Sequence, residues 1–407
     1  MKNTDSSSTT IGTPEKVKKI LRRNSPTGDR MDFSFTQEQE MLRKTAREFA
    51  EKWIAPKADE MDKTGKLPMD LVKKMAELGF MGVLIPPEYG GTGAGHIARV
   101  IILEEIGRVY AAMANTLQIC HLGQAPVIYY GSEEQKKRWL PSLASGEKLA
   151  ALAVTEPVGG SDLLGIQTTA KKDGDNYILN GKKCFITNAH IADLCGILAK
   201  TGEKEFNVFV VETDKPGYRP GKEEDLAGLR GCSVGEIFLD KCKVPKENLI
   251  GKEGDGLRIA LSAISNVGRP GLAAAGLGIT RRCLEEGAKY ANERTAYGKP
   301  IGNLQAIQWL LTDIYMDYQI SRLASYYAAW LRDQGVRCDA ENSLAKFSGT
   351  GGAARCASKL MEIMGGYGVL REFVPQRLLR DGETLKPSAG TLQIMRLVMA
   401  RAALSFK

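Results

Sequence analysis

The spacing of apolar residues changes period twice along this 407-residue chain, and few folds accommodate that pattern. From Phe35 onward, Met41, Leu42, Ala46, Phe49 and Trp53 recur at helical spacing. Thr36, with Gln39 three residues later, has the outline of a capping box, and Pro56 ends the run. A second helix is expected over 69–78, closed by Gly79, and further helices over about 96–108 and 133–143. Near Ala151 the character changes. Residues 176–182 read as a strand followed by a turn, and 194–199, 206–212 and 235–239 also read as strands. From Gly254 helical periodicity returns and persists over about 256–292, 304–334, 340–364 and 391–404. Four long helices with short connections predict a bundle. The chain therefore reads as α+β, with a disordered basic extension over 1–30, a helical domain over 31–150, a β domain over 151–255 and a helical bundle over 256–407.

Composition narrows the function classes. The net charge is +8, and residues 1–30 carry half of it through seven Lys/Arg against three acids. The rest of the chain is close to balanced, which gives no argument for nucleic acid. No apolar run reaches the ~18–20 residues of a membrane span. The eight cysteines, at 120, 184, 195, 232, 242, 283, 338 and 356, form no CxxC pair. That scatter points to reduced, buried thiols in a cytoplasmic protein, with no metal site and no disulfide framework.

The stretch Val154-Thr155-Glu156-Pro157-Val158-Gly159-Gly160-Ser161-Asp162 is followed by Leu179-Asn180-Gly181 and Ile186-Thr187-Asn188. Taken alone, each is a turn. In this order they resemble the central signature of the acyl-CoA dehydrogenase family. Three further stretches add to the resemblance: Leu229-Arg230-Gly231 to Gly254, Arg294-Thr295-Ala296-Tyr297-Gly298 with Gln305, and Glu362-Ile363-Met364-Gly365-Gly366-Tyr367-Gly368. The segments span about residues 33–404 in family order.

The resemblance implies an N-terminal helical domain, a middle β-barrel domain and a C-terminal four-helix bundle, assembled as a homotetramer. It implies FAD as cofactor, touched by Thr155, Ser161, Phe185, Thr187, Arg294, Tyr297, Gln305, Gly365, Gly366, Thr391 and Gln393. Phe185 stands where many relatives carry Trp, and Glu362 where the family usually has Gln. For the CoA thioester it implies Ser161, Arg269, Gln118 and Ser388. An arginine fork suits phosphate oxygens because it pairs with them bidentately. The implied reaction removes the α-proton of an acyl-CoA while hydride leaves Cβ for flavin N5, and electrons then pass to electron-transfer flavoprotein.

One part of the pattern is missing. Family members commonly read Tyr-Glu-Gly-Thr near the C-terminus, where the Glu takes the α-proton; this chain reads Ser388-Ala389-Gly390-Thr391. Relatives of the isovaleryl and long-chain type place the Glu before an Arg on another helix, and here that position is Gly268, before Arg269. Neither alanine nor glycine accepts a proton. His121 is the candidate base, because histidine titrates near neutrality and an acid on that segment serves alicyclic relatives. His190, Asp381 and Glu383 are the other candidates. Ser388 and Ala389 leave extra room, which suits a cyclic acyl group. Two alternatives stay open: a flavin oxidase or monooxygenase, and a flavin-binding paralogue without dehydrogenation.

Overall fold

The computed structural model describes residues 34–406, in a chain that divides into two compact units, 1–40 and 41–407. The extension expected over 1–30 lies outside the described residues. In the first unit the capping box is complete: Gln39 N donates to Thr36 Oγ1 at 3.2 Å and Thr36 N to Gln39 Oε1 at 3.1 Å.

Helices come first. They are α1 (Gln37–Phe49), α2 (Ala58–Thr64), α3 (Met69–Glu77), α4 (Gly95–Val109), α5 (Ala111–Tyr130) and α6 (Glu133–Ala144). Gly79 follows α3 at φ +73°, a left-handed position that glycine adopts without strain. Helix α5 is buried on nearly all sides, sixteen of its twenty residues being buried. A helix buried all round shows no 3.6-residue stripe, so periodicity alone misses it.

Eight strands follow, β1 (Ala150–Ala153), β2 (Thr169–Asp173), β3 (Asn176–Thr187), β4 (Leu194–Lys200), β5 (Phe206–Glu212), β6 (Tyr218–Glu223), β7 (Val234–Pro245) and β8 (Leu249–Ile250). They form one sheet in the order β6-β7-β3-β2-β4-β5-β8, with β1 parallel to β4. Alternation decides what each face covers. Leu194 and Leu198 of β4 join the helical core, while Cys195, Ile197 and Ala199 join Tyr177, Phe209 and Ile237 in a second cluster. The turn expected at the end of 176–182 is instead a bulged continuation of β3, whose register against β7 shifts between Leu179 and Gly181 and again between Lys183 and Ile186.

The C-terminal helices are α7 (Gly256–Ala263), α8 (Arg269–Glu293), α9 (Gln305–Asp333), α10 (Asp339–Met364), α11 (Pro375–Leu385) and α12 (Leu392–Leu404). The single helix expected over 256–292 is broken by a π-turn at Ile264–Gly268. That wide turn sets Gly268 at the start of α8. All eight cysteines are free and buried. Among the described residues, no helix is long and apolar enough to cross a membrane.

Candidate active site

The first part of the site grows from a buried ion pair. Lys183 of β3 and Glu156 meet at 2.8 Å with side chains 0% and 2% exposed. Lys183 also donates to Val154 O at 3.1 Å, and Glu156 accepts the backbone N–H groups of Gln167 and Thr168. Burial alone would raise the Glu156 carboxyl, but the Lys183 ammonium and these bonds hold it below its ordinary value. Burial lowers the Lys183 ammonium from its own ordinary value, and Glu156 offsets part of that. The pair ties the 154–168 loop to β3, and Cys184 N donates to Thr155 O at 3.0 Å. Thr155 therefore lies beside the strand that carries Phe185 and Thr187. The second bulge of β3 gives Phe185 a φ of +55° and leaves the residue 66% exposed. A bulky residue held left-handed with an apolar face outward is a strained conformation that marks function. Ser161 is exposed on the same loop, beside Asp162, whose Oδ1 accepts from Leu164 N and Gly165 N.

The second part is a cavity of about 480 Å³ at the end of α8, lined by Tyr290, Arg294, Ile363, Gly365, Gly366 and Tyr367 among others. It gathers three residues singled out from sequence, Arg294, Gly365 and Gly366. A Cβ built on either glycine would meet nothing within 4 Å, so the backbone is open to close approach. The cavity lining does not include Tyr297, Gln305, Thr391 or Gln393. Tyr297 is 94% exposed at φ +53°, between two short strands; Gln305 begins α9 and Gln393 lies on α12, both exposed. Thr391 caps α12, its Oγ1 accepting from Ile394 N at 3.3 Å.

The third part is where a carboxylate is expected and absent. A Cβ on Gly268 would sit 3.4 Å from the Ala389 Cβ and 3.6 Å from the Leu122 side chain. The two positions at which relatives place Glu thus converge on one spot here, and both lack a proton acceptor. Ala389 itself is left-handed, at φ +49°. Arg269 is buried next to this spot, its Nη1 donating to Ser265 Oγ and Ser343 Oγ at 3.3 Å. Ser388 precedes Ala389 and is half-buried.

Two residues at this spot were not legible beforehand. Lys346 of α10 is fully buried and donates to Lys386 O at 2.5 Å and Gly390 O at 2.8 Å. Burial lowers its ammonium to about 7, and Arg269 adds to that. The available signal was its isolation, as the one charged residue in the run 342–354. Arg99 of α4 is also fully buried and donates to His121 Nδ1 at 3.1 Å, Gln118 Oε1 at 3.1 Å and Val267 O at 2.9 Å. Burial pushes its guanidinium down to about 9.

These contacts correct the assignment of His121 as base. The ring is fully buried. Its Nδ1 accepts from Arg99 and its Nε2 is 2.8 Å from Phe80 O, so the neutral tautomer with hydrogen on Nε2 satisfies both. Burial and the Arg99 charge push the imidazole down to about 3. With its one lone pair engaged, His121 accepts no substrate proton. Gln118, expected against substrate, orients Arg99 instead. Of the other candidates, His190 Nε2 is 3.0 Å from Gly221 O, and Glu383 is exposed and paired with Lys386. Asp381 is buried, accepts from Leu229 N at 2.6 Å and is raised to about 6 by burial.

The assembled features fit a flavin-type oxidoreductase site, and comparison with known proteins gives the class. Three family models match in sequence: acyl-CoA dehydrogenase N-terminal domain over 36–147, middle domain over 151–242 and C-terminal domain over 254–404. The chain belongs to the acyl-CoA dehydrogenase family, oxidoreductases acting on CH–CH bonds. It is 41% identical over 371 residues to an acyl-CoA dehydrogenase of Bacillus subtilis, covering 90% of this chain and 98% of that one. It is 40% identical over 376 residues to a 3-(aryl)acrylate reductase of Clostridium sporogenes, with 90% and 98% covered. Among solved structures, butyryl-CoA dehydrogenase from Megasphaera elsdenii superposes with a TM-score of 0.90 at 33% identity, covering 92% of this chain and all of the other. A chain from work on the electron transferring flavoprotein of Acidaminococcus fermentans also gives 0.90, at 37% identity with 92% and 100% covered. An acyl-CoA dehydrogenase complexed with FAD from Bacillus anthracis gives 0.86 at 32% identity, with 91% and 67% covered.

Proposed function

We propose that this chain is an FAD-dependent dehydrogenase of a CoA thioester, and that electron-transfer flavoprotein takes the electrons. The observation that carries the reading is the cavity gathering Arg294, Gly365 and Gly366, a cationic fork beside two open glycines suited to a pyrophosphate. The displayed Phe185 ring beside Thr155 and Thr187 suits the flat, polar-edged ring system of a flavin. Bound there, FAD would supply the two-electron acceptor for hydride from Cβ. Ser161 and Arg269 are assigned to the thioester substrate, with Ser388 at the acyl end. The Ala389 N–H is assigned to the thioester oxygen, where it would stabilise charge developing on the carbonyl. Arg294, with Tyr297 and Gln305, is assigned to the FAD pyrophosphate and adenosine across a subunit interface, and Thr391 and Gln393 to further FAD contacts.

The spot between Gly268 and Ala389 is proposed to hold a bulkier, cyclic acyl group; the small residues at both positions, where relatives carry Glu, support it. A homotetramer is proposed, supported by an exposed apolar stripe along α9 formed by Trp309, Met316, Ile320, Leu323, Tyr327 and Trp330. The domain limits 31–150, 151–255 and 256–407 and a cytoplasmic location complete the proposal. The test is anaerobic flavin bleaching by linear, branched and alicyclic acyl-CoA thioesters. Bleaching by at least one, with reoxidation dependent on electron-transfer flavoprotein, is expected. A yellow protein that no thioester bleaches sinks the dehydrogenase reading.

A further inference from the structure

The turn carrying Ala389 is short and strained. It joins the end of α11 at Leu385 to the cap of α12 at Thr391. Ala389 is left-handed at φ +49°, a conformation that a residue with a Cβ uncommonly adopts. Gly390 follows at φ +98°. Inside the turn, Ser388 N donates to Leu385 O at 3.3 Å, a long bond. Such a segment has little of its own to select one shape.

Lys346 supplies the restraint. Its Nζ reaches the carbonyls of Lys386 and Gly390, which bracket the turn, at 2.5 and 2.8 Å. The side chain is fully buried, and both bonded partners are neutral carbonyls. A buried ammonium without a bonded carboxylate is destabilising. Two charge-assisted bonds to the ends of one turn are the return this arrangement gives. The amine comes from α10, a long and buried helix, so the clamp is fixed to a rigid element.

We propose that Lys346 is a positioning residue: by holding the Lys386 and Gly390 carbonyls together, it keeps the 387–390 turn in the one shape that presents the Ala389 N–H to the thioester oxygen. This rests on the reading of Ala389 given above. Lys346 touches neither substrate nor cofactor in this account and acts through the turn alone.

The test is hydrogen exchange on the purified holoprotein, comparing wild type with Lys346→Met, together with the affinities of an acyl-CoA thioester and the matching S-alkyl-CoA thioether, which has no carbonyl. In wild type the Ser388 amide, which donates to Leu385 O, exchanges slowly. In the variant it exchanges about tenfold faster or more, while amides of α10 and the β sheet stay unchanged. The variant loses about tenfold in thioester affinity and keeps its thioether affinity, since losing one carbonyl bond costs on the order of 1 kcal/mol. Unchanged exchange at Ser388 in a folded variant overturns the proposal. So does an unprotected Ser388 amide in wild type, which decides the matter even if Lys346→Met does not fold. If wild type binds thioester and thioether equally, the Ala389 reading falls, while faster exchange in the variant still upholds the clamp.

Discussion

Gly268 and Ala389 together define what this site lacks, and the lack can be reversed. Gly268 has helical φ, and a Cβ there meets its neighbours at ordinary contact distance. Gly268→Glu should therefore place a carboxylate where relatives carry one. Desaturation of a linear acyl-CoA, followed by anaerobic bleaching, should rise by roughly 10²-fold or more, the usual worth of a positioned base. No gain would mean that something besides a carboxylate is missing. His121→Gln makes the opposite forecast: the pH profile of bleaching keeps its shape, because an imidazole lowered to about 3 does not titrate between pH 5 and 9. The change should instead cost about 1–3 kcal/mol in urea unfolding, through the Arg99 and Phe80 bonds. His121 drew notice in the sequence because histidine is scarce. The residue that disqualifies it, Arg99, lies 22 positions upstream on another helix, and no spacing rule links the two.

Elements carry the strain and the charge. Removing Glu156 as Glu156→Ala would leave the Lys183 ammonium buried without a counter-charge, at about 3–5 kcal/mol in urea unfolding. The Thr-Glu-Pro motif is thus legible as a family mark, while the structural task of its Glu shows only once β3 brings Lys183 against it. At the bulge, Phe185→Gly should keep or raise stability by up to about 1 kcal/mol, since glycine adopts positive φ freely. It should also weaken FAD binding in a fluorescence titration, separating the two roles. Lys346 gives the α10–α12 region a pH signature. Its ammonium is lowered to about 7 in the fold from an ordinary 10.5, so its contribution is present above pH 10.5 and is lost as pH falls through 7. Relative to Lys346→Met, wild type should therefore lose stability between pH 10 and pH 7, by an amount on the order of 3 kcal/mol from the size of that shift. A difference flat across that window would show the amine to be solvated.

At the scale of the molecule, the succession of helices, strands and helices was readable because each block keeps its own period, and helices such as 305–333 and 339–364 fall within a residue of expectation. Helix α5 escaped because burial on all sides removes the stripe that periodicity detects. The π-turn at 264–268 escaped because a one-residue slip leaves apolar spacing almost intact. The stripe on α9 is the feature proposed to reach beyond one chain. Replacing Ile320 and Leu323 by Lys and Glu should shift sedimentation toward smaller species without changing helix content; an unmoved boundary would place the interface elsewhere. The inward placement of every sulfhydryl has a practical outcome. A maleimide added to the native molecule should find nothing to alkylate, so its slow uptake would serve as a clock for how often the whole architecture breathes open.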